Sequence, residues 1–208
     1  MPARLPSYQL TWIILFSGML IWSGWNPKDT WTWFLETLPA MAGALILLFT
    51  RKSFPLTPLS YQLILIHAVI LMIGGHYTYA EVPLFDNIKE WLGQDRNNYD
   101  KVGHFAQGFI PALLCREIVI RKNVFHSSGW RVFFVICFCL ALSAFYELIE
   151  WWVAVAAGIS ADAFLGTQGY LWDTQSDMLL ALIGAIAGPT LLGTLQDTQL
   201  RSLPAHSR

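Results

Sequence analysis

Apolar residues run along this chain in six long stretches separated by short polar ones: Tyr8–Trp25, Trp31–Phe49, Leu59–Tyr77, Tyr99–Ile120, Trp130–Ala157 and Leu171–Leu195. Each is near the length of about 20 residues that a helix needs to cross roughly 30 Å of hydrocarbon. The stretches are continuously apolar rather than alternating, which excludes a closed β-barrel and predicts helices. The expected fold is an all-α, polytopic membrane helix bundle with about six transmembrane helices, forming a single transmembrane domain over residues 1–208. The first stretch resembles a signal peptide, but no A-x-A cleavage site follows it and five more spans do, so an uncleaved helix is expected. Gly188-Pro189 is expected to bend or fray the end of the last helix.

One connection is long. Between Gly74 and Asn98, after Pro83, the residues Leu84, Phe85, Ile88, Trp91 and Leu92 recur at helical spacing, with Asp86, Asn87, Lys89 and Glu90 on the other face. This pattern predicts a short amphipathic helix, either lying on the membrane surface or packed on the bundle as a cover.

Composition agrees with lipid exposure. Apolar residues make up 55% of the chain and charged residues 13%, against roughly 25% charged in a soluble domain. The formal net charge of −1 gives no electrostatic footprint for nucleic acid. Lys and Arg placement orients the spans. With a cytoplasmic N-terminus, nine of the thirteen (Arg4, Arg51, Lys52, Arg116, Arg121, Lys122, Arg131, Arg201, Arg208) fall inside, and Lys28, Lys89, Arg96 and Lys101 outside. Both termini are thus expected in the cytoplasm. Trp25, Trp31, Tyr77, Tyr99, Trp130 and Trp172 at span ends fit an interfacial aromatic belt. Cys115, Cys137 and Cys139 lie in apolar runs without a CxxC pair and read as packing residues.

The informative residues are those that do not belong in lipid, where an ionisable group costs about 2.5–3.5 kcal/mol on insertion scales unless it is paired or hydrated. Asp100, His104 and Gln107 fall on the fourth span, Glu147 and Glu150 on the fifth, and Asp173 and Asp177 on the sixth; His76 and Glu81 follow the end of the third. Asp100/His104 and Asp173/Asp177 are four apart and Glu147/Glu150 three apart, so each pair shares one helical stripe. His104 lies about 6–8 Å below its helix start at 1.5 Å per residue, and Asp177 at a similar depth. A polar cleft between these three helices, open to the outside, follows. Carboxylates with imidazole on facing helices suit a divalent metal at His104, Glu147, Glu150 and Asp177. They equally suit general acid/base work or a proton relay, and a buried polar network also serves helix packing alone. His67, isolated on the third span, reads as a packing residue. The inner halves of the last three spans read as almost purely apolar, which counts against a polar path through the bundle. HExxH, GxSxG, P-loop and dinucleotide fingerprints are absent.

Three strings carry a family likeness: Asn98-Tyr99-Asp100-Lys101-Val102-Gly103-His104-Phe105, Ala144-Phe145-Tyr146-Glu147-Leu148-Ile149-Glu150-Trp151-Trp152, and Gly166-Thr167-Gln168-Gly169-Tyr170-Leu171-Trp172-Asp173-Thr174-Gln175-Ser176-Asp177-Met178. Together they resemble the YjdF-type bacterial inner-membrane proteins over about His76 to Gly193. The likeness implies location and fold rather than an activity. A more distant resemblance is to VanZ-like membrane proteins, whose successive helices carry D-K-x-x-H, E-x-x-Q and D-x-x-x-N-x-x-G. Asp100, Lys101 and His104 match the first pattern; Glu147 matches the second with Glu150 in place of Gln; Asp177 and Gly184 match the third with Ala181 in place of Asn.

The reading is a multi-pass protein of the bacterial inner membrane with an outward-facing acidic cleft, as in an enzyme acting on a lipid-linked or envelope substrate. His104, Glu147, Glu150 and Asp177 would bind metal or exchange protons, with Asp100, Gln107, Asp173, His76 and Glu81 in support. Its partners would be the lipid bilayer and a lipid-linked or envelope ligand, with no nucleic acid. The alternatives are a proton- or cation-coupled transporter and a non-catalytic membrane assembly or resistance factor.

Overall fold

The computed structural model describes residues 7–157 and 168–203. Arg4, Arg208, and the Gly166 and Thr167 of the third string lie outside the described residues. The described chain forms seven α-helices and no strand: α1 (Ser7–Gly24), α2 (Thr30–Thr50), α3 (Pro58–Tyr77), α4 (Pro83–Leu92), α5 (Tyr99–Arg121), α6 (Ser128–Ala157) and α7 (Asp173–Ser202). A single 3-10 turn, Tyr79–Glu81, links α3 to α4. The fold is a membrane helix bundle. α2, α3, α6 and α7 are each long and apolar enough to cross a membrane. α5 falls outside that group because Asp100, Lys101, Arg116, Glu117 and Arg121 all lie within it, and α1 because it is short, with Ser7, Tyr8, Gln9 and Thr11 at its start.

Helix ends follow local chemistry. Asp29 caps α2, accepting from the Thr32 backbone N–H at 2.6 Å, a bond that holds its carboxyl below the usual carboxylate range. Thr57 caps α3 ahead of Pro58. Gly93 ends α4 in the left-handed conformation at φ 62°, which a residue without Cβ adopts at no steric cost. α4 is the expected amphipathic helix. Leu84, Trp91 and Leu92 are exposed on it, while Phe85 packs edge-on against Tyr99 at 5.2 Å between ring centroids.

At Gly188-Pro189 α7 does not fray. It runs unbroken through Gly188-Pro189 to Ser202. The reason is tertiary: near its far end Gln196 donates to the Leu113 carbonyl at 2.8 Å and Gln199 accepts from the Leu59 N–H at 2.9 Å, anchoring the helix past the proline.

The closest helix pair is α5 and α7, and small residues make it so. A Cβ on Gly108 would run into the Ala181 carbonyl, and one on Gly184 into the Phe105 carbonyl; on Gly188 it would meet the Phe109 carbonyl oxygen at 2.6 Å. The two backbones therefore touch directly, which sets the start of α7 beside the first turns of α5. Gly184→Val is expected to lower stability by about 1–3 kcal/mol, the range for overpacking a tight site. Thermal unfolding in detergent reads it, with Gly18→Val, whose Cβ meets nothing within 4 Å, as the neutral control.

Candidate functional site

The site is built at the end of the bundle where α5 and α7 begin. Asn97, fully buried, organises it. Its side-chain amide donates to the Val82 carbonyl at 3.0 Å and to Asp86 at 2.9 Å, and its Oδ1 accepts from the Tyr99 N–H at 3.1 Å. Its backbone N–H and carbonyl pair with the amide of Gln168 at 2.9 and 2.8 Å. One asparagine thus ties α4, the start of α5 and the segment before α7 together.

On that frame, Lys101 reaches across to α7. Its ammonium lies 2.7 Å from Asp173 Oδ1, Ser176 Oγ and Asp177 Oδ1. Arg96 joins it on Asp173 Oδ1 at 2.6 Å, and the Tyr170 ring sits 5.4 Å from the guanidinium carbon and 5.5 Å from the ammonium. Asp177 thereby gives one oxygen to Lys101 and turns the other towards His104, 3.9 Å from Nε2. Asp100 does the same: Oδ2 faces Arg96 at 3.8 Å and Lys101 at 3.9 Å, and Oδ1 lies 3.3 Å from His104 Nε2.

The histidine is oriented from its other side. As the Gln107 amide is placed, His104 Nδ1–H donates to Oε1 at 3.1 Å. Nε2 faces two carboxylate oxygens, and a neutral ring would present its lone pair to them. Lone pairs facing one another call for a proton or a cation between them. Asp100, His104 and Asp177 are all buried, and each offers one ligand atom within 4.8 Å of the others. Glu147 approaches from α6, its Oε1 3.8 Å from His104 Nδ1; that oxygen is buried and makes no hydrogen bond within the described residues.

A cavity of about 140 Å³ adjoins this cluster between α2, α3, α5 and α6, and Glu150 lines it. So does Glu36 of α2, buried and accepting from the Tyr146 hydroxyl at 3.2 Å. Sequence reasoning passed over Glu36, although the signal that selected Glu147, an acid inside an apolar run, applies to it equally. Tyr146 was likewise unassigned, as was Asn97.

The structure therefore brings His104, Glu147, Glu150, Asp177, Asp100 and Gln107 to one end of the bundle, with Asp173 on the side of Lys101 and Arg96. It does not bring in His76 or Glu81. His76 Nδ1 bonds the Ser23 carbonyl at 2.9 Å, and the ring packs on Trp22 and Tyr77. Glu81 pairs with Lys28 in a half-exposed ion pair. Both fasten the α1–α2 connection to the end of α3.

The opposite end is not as apolar as the sequence reading held. Glu117, fully buried on α5, accepts from the Thr57 N–H at 2.9 Å, the Thr57 hydroxyl at 2.7 Å, the Ser60 hydroxyl at 2.6 Å and Arg121 at 3.1 Å. Arg116 reaches α7 at Gln196 and Asp197, 2.8 and 2.7 Å away. Between this layer and the candidate site lie Ala68, Met72, Ile110, Ala112 and Leu113, all buried and apolar.

Residues 8–198 match the family model described as predicted membrane protein, DUF2238. The chain belongs to that family. It is 51% identical over 183 residues to the inner membrane protein YjdF of Escherichia coli (strain K12), covering 88% of each chain. The likeness to YjdF-type proteins drawn from the three strings is thus shown. No solved structure matches. In this DUF2238 member the paired acids of the three strings, Asp100, Glu147, Glu150 and Asp177, are the ones the bundle buries at a common end.

Proposed function

We propose that this is a multi-pass protein of the bacterial inner membrane whose outward-facing acidic site binds a divalent cation and acts on a lipid-linked or envelope substrate. The observation that carries the reading is the convergence of Asp100 and Asp177 on His104 Nε2, with the unbonded Glu147 oxygen near Nδ1 of the same ring. The donor set, carboxylates and one imidazole, suits zinc, manganese or iron. The His104–Gln107 bond is the outer contact that fixes which ring nitrogen is presented. Charge supports the same reading. Glu36, Asp100, Glu147, Glu150, Asp173 and Asp177 are all buried here, and Arg96 and Lys101 are the Lys or Arg residues among them. Bound there, a divalent cation would polarise a substrate oxygen or activate water, and Glu147 would stand beside it as the proton acceptor.

The location reading rests on the name of the YjdF relative and on the four membrane-length helices. In this proposal α1 and α5 complete six spans in one transmembrane domain. The charges of α5 lie in its first and last turns, or pair with α7 and the start of α3. The distribution of Lys and Arg sets both termini in the cytoplasm and the acidic site near the periplasmic face.

Elemental analysis of the purified protein after dialysis tests the metal. A stoichiometric divalent ion is expected in the wild type, lost in Asp177→Asn and in His104→Ala. A protein that takes up no ion from added zinc or manganese, or variants that keep it, would end the metal reading.

A further inference from the structure

α2 packs on α3 but is not packed along α5 or α6. The gap this leaves holds a second cavity below the acidic one, of about 370 Å³. Its lining is apolar except for His67 and Thr50. The two cavities share Pro39, His67 and Leu71 and so meet end to end. Pro39 lies inside α2 and Pro111 inside α5, where each removes one helix hydrogen bond and crowds the preceding turn. Both line the acidic cavity. His67, at the junction, is bonded by no protein group among the described residues.

The dimensions are those of a hydrocarbon chain. From Glu36 to Thr50, α2 rises about 21 Å at 1.5 Å per residue. Half the hydrocarbon core is about 15 Å. A chain laid along this groove reaches past the membrane midplane. The groove is open on one side, where Ile46 and Ile118 are exposed, so a chain can slip in sideways from lipid.

The head end has its own complementarity. Arg96 and Lys101 are engaged with Asp100, Asp173 and Asp177. Glu36 and Glu150 face the cavity with no Lys or Arg at ion-pair distance among the described residues. An ammonium group is the headgroup chemistry that two such buried carboxylates receive best.

We infer that the acidic cavity and the apolar groove form one binding site for a long-chain, single-tailed amphiphile with an amine head, its tail between α2, α3 and α5 and its head between Glu36 and Glu150. The inference rests on the reading of the cluster as a binding site and is independent of the metal. His67 meets the polar linkage where head joins tail.

A long-chain alkylamine carrying a tail diazirine tests it on the full chain in maltoside micelles. Crosslinks are expected on Gly43, Ile46, Leu47 and Thr50 of α2 and on Ile64, Ala68 and Leu71 of α3, which line the groove. Gly43 has open space where a side chain would go, so Gly43→Phe fills the groove; Leu45→Phe alters a lipid-facing position instead. Gly43→Phe should cut groove labelling about tenfold, a loss of about 1.4 kcal/mol in binding, and Leu45→Phe should leave it unchanged. Ile64→Trp blocks the same space from α3 and is read if Gly43→Phe misfolds. Unlabelled alkylamine should compete about tenfold better than an alkyl phosphate of equal length. Labels scattered over Leu45 and Phe49, labelling indifferent to both blocking variants, or equal competition by the phosphate would overturn the inference. Asp177→Asn, at a residue that lines neither cavity, separates the two readings. Metal lost with groove labelling kept is the expected pattern. A wild type that binds no metal yet labels in the groove sinks only the metal site, and bound metal with scattered labels sinks only the groove.

Discussion

Lys101→Met is expected to destabilise the protein by about 3–5 kcal/mol, the cost of removing one partner from a buried ion pair. Its ammonium is the group against which Asp173 and Asp177 are held, each at 2.7 Å, and both carboxylates are buried. Methionine keeps the length and apolar stem of the side chain but strands two negative charges beside Asp100. Arg96 still reaches Asp173, so the loss falls mainly on Asp177. Thermal unfolding in detergent is the measurement, and a midpoint equal to that of wild type would show that Lys101 does not secure the start of α7. Added zinc or manganese should recover part of the loss, since a cation that binds only the folded state stabilises by mass action. Lys101→Arg should retain most of the stability.

Glu117→Leu is expected to cost a similar amount, about 3–5 kcal/mol, at the other end of the bundle. The carboxylate accepts four hydrogen bonds, three of them from the first turn of α3, and its removal leaves the Arg121 guanidinium without that carboxylate. Arg121 keeps the Pro55 carbonyl at 2.7 Å and the Phe54 ring at 3.5 Å, neither of which neutralises its charge. Glu117→Gln should cost less, because the amide oxygen still accepts from Thr57 while its NH2 opposes the other donors. Unfolding of both variants side by side checks the order; equal stability of Glu117→Leu and wild type would rule out a structural role for this layer.

Much of this arrangement is legible along the chain because lipid punishes exceptions. A continuous apolar stretch has one outcome in hydrocarbon, so each predicted span coincides with a helix to within a few residues at most of its ends. The same penalty singles out Asp100, His104, Glu147, Glu150 and Asp177; Asp100 and His104 meet each other, and Asp173 and Asp177 share Lys101, as residues four apart on a helix can. What escaped has a physical reason in each case. Glu117 sits between Arg116 and Arg121 and merges with the basic end of its span, although its partners lie on α3. Glu36 is the solitary acid of α2, with no second ionisable residue to mark a stripe, and only the approach of Tyr146 shows what it faces. His76 lies in the last turn of α3 and Glu81 just past it, near the site in sequence, but the end of α1 satisfies His76 and Lys28 of the α1–α2 connection satisfies Glu81, a tertiary fact that spacing does not carry. Gly184 and Gly188 form a small-xxx-small step that could have been noted; that it fits against the backbone of Phe105 and Phe109 needed the fold.

The uneven packing of α2 has a mechanical meaning. Asp100, His104 and Asp177 ride on two helices whose backbones are in contact, so their mutual geometry moves as one body. Glu36 and Pro39 ride on the loosely flanked wall opposite, which the Tyr146 hydroxyl ties to α6. In the binding reading proposed above, an outward lean of that wall would widen the opening to the bilayer while the imidazole and its acids keep station, so that entry of a ligand need not disturb the cluster.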